Sequence, residues 1–132
     1  MNPKSAIKIL LYLSAAYILF HLSIVFKVVP YEITWGGRLK TDSEMYVFES
    51  ISIFIILLLI FILLIKGKYV NEFIPLKIVN IVLWIFFALF ALNTVGNIFA
   101  ETNFEKYFIL LTLPSAILIW IILRKGKKQI HE

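Results

Sequence analysis

Apolar residues gather into four long runs along this chain, roughly 9–26, 46–65, 76–99 and 107–123, with polar residues crowded into the gaps. Each run is close to the ~20 residues that a helix needs to cross ~30 Å of hydrocarbon at ~1.5 Å per residue. The fourth is the shortest and fits with little tilt or with slight thinning of the bilayer. Lys4 and Lys8 give the first run the basic start of a secretion leader. However, its small residues Ser14, Ala15 and Ala16 fall in mid-run, and the apolar stretch continues for ten residues beyond them. The expectation is a membrane span and not a cleaved leader.

The residues between the runs punctuate helices. Pro30 closes the first. Thr41-Asp42-Ser43-Glu44 and Thr102-Asn103-Phe104-Glu105 each offer a capping box, and Pro75 is expected in the first turn of the third helix, where a missing N–H costs least. Lys66-Gly67-Lys68 and Arg124-Lys125-Gly126-Lys127 serve as stops for the second and fourth. Pro114 should kink the fourth, freeing a carbonyl for a partner such as Ser115. The predicted architecture is all-α: one transmembrane domain over 1–132, an integral membrane four-helix bundle with helices at about 6–27, 44–66, 75–100 and 104–124.

Composition supports this. The chain is 61% hydrophobic and 16% charged, with mean hydropathy +0.94, against about 45–50% apolar and about 25% charged in soluble domains. A net charge of +5 raises the question of nucleic acid. The basic residues instead flank apolar runs, and no nucleic-acid motif accompanies them, so no nucleic-acid partner is expected. Nine of the 13 lysines and arginines fall on the side of the two termini and the 66–77 connection, and four on the other. The positive-inside rule then puts both termini in the cytoplasm. Richness in Ile, Lys, Phe and Asn suggests an AT-rich bacterial gene and hence the inner (plasma) membrane. With no cysteine, disulfides and thiol chemistry are excluded. The segments "KTDSEMY" and "ETNFEKY" share T-x-x-E-x-Y, either from a duplicated helical hairpin or because two membrane helices entering from one side need the same cap and interfacial tyrosine.

The orientation puts the polar stretch "YEITWGGRLKTDSEMY" and the 93–105 connection together on the outer side. Several polar residues enter the membrane beneath them. Ser14, Tyr17 and His21 share one face of the first helix, Met45, Glu49 and Ser52 one face of the second, and Asn93, Asn97 and Glu101 follow at i+4 steps on the third. A carboxylate facing lipid at the depth of Glu49 costs on the order of 2–3 kcal/mol, so Glu49 should turn into the bundle and find a partner. His21, at a similar depth, is the candidate.

The expected ligand-binding set is therefore His21, Glu49, Asn93, Asn97 and Glu101, under a loop carrying Glu32, Trp35 and Arg38. Arg38 is expected to reach Glu49 or Glu32, and Trp35 to fold over the mouth. Each residue also has a plainer role: the aromatics as an interfacial belt, Gly36-Gly37 as a tight turn, Arg38 and Lys40 as anchors to phosphate, Gly96 with Asn97 as helix-packing glue. The leading function is binding or transport of a small or lipid-like ligand in an outward-facing polar cavity. The alternatives are an accessory subunit of a membrane complex and an intramembrane enzyme using Glu49 and His21 as acid–base groups. Catalytic and metal-site motifs are missing, so no cofactor or metal is expected. Expected partners are membrane lipids, the ligand, and a second copy through the Ala88/Ala91 face beside Trp84.

Overall fold

The structure is a computed structural model and describes residues 1–31, 39–99 and 103–131. Its helices are α1 (Pro3–Val25), α2 (Asp42–Lys66), α3 (Leu76–Ile98), the short α4 (Asn103–Tyr107) and α5 (Ile109–His131), with no strand among the described residues. Four apolar spans, Pro3–Val25, Asp42–Lys66, Leu76–Ile98 and Glu105–Arg124, are long enough to cross a membrane. Twenty-three residues of helix reach ~35 Å, which covers ~30 Å of hydrocarbon.

The helix ends follow from local chemistry. Asn2 caps α1, its Oδ1 accepting from Lys4 N at 2.7 Å and Ser5 N at 3.2 Å, with Pro3 just inside. α1 thus begins three residues before the expected start, on an Asn-Pro signal that the sequence reading passed over. Thr41 caps α2 as expected, taking Glu44 N at 3.2 Å. Pro75 stands one position earlier than expected, as the cap residue of α3. α1 and α2 close alike. Lys27 (φ 62) and Lys68 (φ 64) adopt the left-handed conformation, and the next amides reach back to Ser23 O at 2.8 Å and Leu64 O at 2.9 Å. The positive φ of the second stop is therefore on Lys68, not on Gly67. Gly67 serves a close approach instead, since a Cβ there would lie 2.7 Å from the Tyr69 ring and 3.3 Å from Ile7.

The fourth span departs from one continuous helix. The chain turns at Phe108, whose carbonyl accepts from Leu111 N, Thr112 N and Thr112 Oγ1. The break thus precedes Pro114, which sits in the second turn of α5. Ser115 donates to its own helix at Leu111 O, 2.7 Å away. Gly126 does not stop α5: the apolar span ends at Arg124, but the helix continues to His131.

Each long helix buries one stripe. Ala6, Leu10, Ser14, Tyr17 and Ile24 form that of α1, and Val79, Leu83, Phe86, Phe90 and Thr94 that of α3. α1 packs between α2 and α5, and α3 between α5 and α2. Tyr17 and Phe90 stack across the middle, ring centres 5.7 Å apart. Outside, Leu19, Phe54, Leu92 and Leu110 are each at least 66% exposed. So much apolar surface on every side matches a hydrocarbon surround and not water.

Candidate functional site

Both described termini and the 67–75 connection lie at one end of the bundle, here the terminal end. The described parts of the other connections, 26–31 with 39–41 and 99 with 103–108, lie at the other, the distal end. Four to seven residues in from the distal end, ~6–10 Å deep, each span carries an inward polar side chain: the partly buried His21 and the buried Glu49, Thr94 and Thr112, with buried Glu105 at the mouth of the fourth span.

His21 and Glu49 join α1 to α2 by a hydrogen bond between Nδ1 and Oε2. Glu49 is wholly buried, while the His21 side chain keeps 16% of its surface. A nitrogen and a carboxylate oxygen in contact need a proton between them, so the pair shares one whichever atom holds it. Among the described residues the other ring nitrogen, Nε2, has no hydrogen-bond partner. No unpartnered side-chain nitrogen or oxygen among them is shut off from the surface either, so Nε2 is the edge an incoming molecule reaches. Phe20 meets the imidazole edge-on at 5.7 Å and Phe108 at 4.7 Å.

Above the pair lies a second, smaller apolar cluster. Ile24, Leu39 and Met45 are buried together, with Phe20, Val29 and Tyr31 against them. Met45 is one turn from Glu49 along α2, and Leu39 comes from the connecting segment. Further out, Lys27 Nζ donates to Asp42 Oδ2 at 2.6 Å. This bond, and then the charge of Asp42, hold the Lys27 ammonium above its ordinary value of 10.5. Both side chains are about half exposed, so solvent screens the pair.

At the depth of His21 and Glu49 the other two spans contribute neutral groups. Thr94 donates to Thr112 at 2.9 Å, and one layer deeper Tyr17 and Ser115 meet at 2.9 Å. The Thr112 and Ser115 hydroxyls are themselves turned onto carbonyls of Phe108 and Leu111. Ser14 likewise donates to Leu10 O.

Of the expected ligand-binding residues, the structure brings together His21 and Glu49. It turns Asn93 outward and leaves Asn97 half-buried. The inward polar residue of α3 is Thr94. The i+4 spacing of Asn93 and Asn97 places them near one another on the helix, but the stripe Val79, Leu83, Phe86 and Phe90 sets the buried face, and Thr94 continues it. That stripe was the signal that could have found Thr94. Glu32, Trp35, Arg38 and Glu101, with the expected Arg38 pairing and Trp35 cover, lie outside the described residues. Among the described residues, no group of three or more His, Cys, Asp or Glu could hold a metal ion.

The fold defines a class: an all-helical bundle whose four apolar spans are long enough to cross a membrane. No protein-family model, curated protein or solved structure matches the chain.

Proposed function

We propose that this is a small multi-pass protein of the bacterial inner membrane that binds or moves a small or lipid-like ligand at the distal end of its bundle. His21 Nε2 is the contact atom in this reading and Glu49 the proton partner. The carrying observation is a His21 Nε2 that is accessible and has no hydrogen-bond partner among the described residues, on a ring whose other nitrogen is bonded to a fully buried carboxylate. A ligand that presents an acceptor to Nε2 draws a proton onto it, and the imidazolium so formed is balanced by Glu49. Binding of an anionic headgroup is thereby coupled to proton uptake. The excess of basic residues at the terminal end supports a cytoplasmic location for both termini, with the site opening outward.

A fluorescent long-chain carboxylate offered to the protein in neutral detergent tests the site. Wild type should bind it with uptake of about one proton. Glu49→Gln, which keeps size and hydrogen bonding but not charge, should fold normally, bind more weakly and take up none. If Glu49→Gln behaves as wild type in both measurements, the reading fails. Sidedness is tested separately: an impermeant thiol reagent should label Ser43→Cys in intact cells and reach Tyr69→Cys only after lysis.

One observation favours a second reading, an accessory subunit whose polar groups hold helices together. Among the described residues, no buried side-chain nitrogen or oxygen lacks a partner. Under that reading Glu49→Gln is silent, and only the loss of packing in Glu49→Ala is felt.

A further inference from the structure

We propose that a second copy of this chain docks on the distal half of α3, along the face carrying Gly96 and Asn93, forming a two-fold dimer with its axis along the bilayer normal. Ile85, Leu89, Leu92, Gly96 and Phe99 follow one another in alternating steps of four and three residues, and all are exposed. This is the seam spacing by which two helices mesh side by side. In a bilayer the apolar members of the seam select no partner, because lipid covers them equally well. Gly96 and Asn93 supply the selection.

Glycine within a helix sacrifices helical stability and needs a compensating use. Among the described residues it has none, since a Cβ built at Gly96 meets no atom within 4 Å. A bare backbone facing outward instead lets a second helix approach closely. Asn93, one turn nearer the bilayer centre, is exposed and has no hydrogen-bond partner among the described residues. It lies five residues in from the end of α3, ~7 Å deep, where lipid tails offer it neither donor nor acceptor.

A primary amide both donates and accepts, so the same amide on a two-fold mate satisfies it. Two copies inserted with the same topology bring residue 93 to the same depth, with α3 parallel to α3. This self-complementarity favours a second copy of the chain as the occupant. The interface differs from the Ala88/Ala91 face expected from the sequence, where Trp84 already packs edge-on against Phe87 of its own helix at 5.6 Å and Ala91 is partly buried.

With no native cysteine, single introduced cysteines report the contact cleanly. In oxidised membranes Leu92→Cys should cross-link to dimer, and Leu58→Cys, exposed on α2, should not. Native mass spectrometry should show wild type as a dimer and Gly96→Leu as a monomer. Intrachain melting of Gly96→Leu should not fall, because leucine favours the helix more than glycine does and a Cβ there meets no atom within 4 Å. Asn93→Leu, which keeps the seam apolar, should weaken association about tenfold. A monomeric wild type, including one carrying bound lipid on this face, overturns the proposal. So does a Gly96→Leu protein that remains dimeric, or equal cross-linking at positions 58 and 92.

Discussion

Two helix pairs in this bundle are joined at one depth by hydrogen bonds of opposite character. α3 and α5 are tied by the hydroxyls of Thr94 and Thr112, α1 and α2 by the imidazole of His21 and the carboxylate of Glu49. The threonine bond shows that neutral groups are enough to join helices there. Each threonine can also turn its hydroxyl onto a carbonyl of its own helix, at 2.9 and 3.1 Å, so neither depends wholly on its partner. The carboxylate is ionisable and wholly buried, and such a group is costly to keep in a membrane. The difference is one of chemistry: α3 and α5 share a bond between neutral hydroxyls, α1 and α2 a bond between two ionisable groups.

The contrast is broken most directly by truncation. Glu49→Ala removes one partner of a buried pair and should cost on the order of 3 kcal/mol, read as a large shift in reversible unfolding in mixed micelles. A loss no greater than that of the threonine variant below would erase the distinction. Tyr17→Phe comes next. It deletes the hydroxyl that meets Ser115, while Ser115 keeps Leu111 O, so the loss should be about 1 kcal/mol by the same assay. Thr94→Val should cost less, about 0.6 kcal/mol, the average for hydrogen bonds between membrane helices.

The smallest effect belongs to Lys27 and Asp42. The Lys27 value is raised in the folded chain, so its contribution is complete below the ordinary lysine value of 10.5 and fades as pH climbs through the raised one. Lys27→Gln should therefore melt slightly below wild type at neutral pH, with the gap closing in strong alkali or high salt. A gap that persists there would mean that the residue acts through its left-handed backbone and not its charge.

The four spans were legible because length and apolarity alone specify a bilayer-crossing helix. The Thr41 cap was legible because its motif is local. Counting depth from the helix ends also brought His21 and Glu49 to one level. What escaped were choices made by packing. Whether Asn93 or Thr94 turns inward is one residue of rotation, decided by how Leu83, Phe86 and Phe90 fit the neighbouring helices. The turn at Phe108 was hidden because Pro114 drew attention six residues away. Left-handed Lys27 and Lys68 were hidden because lysine carries no signal for that conformation.

The bond between His21 and Glu49 also bears on how the chain enters a membrane during synthesis. α1 emerges first, bringing an imidazole with no counterpart yet made. α2 follows with a carboxylate that, entering lipid alone, costs on the order of 2–3 kcal/mol. Entering together, the two helices cancel each other's liability before α3 exists. The first hairpin is thus suited to insertion as a unit, and α3 and α5, whose polar bond at this depth is between neutral hydroxyls, can arrive one at a time.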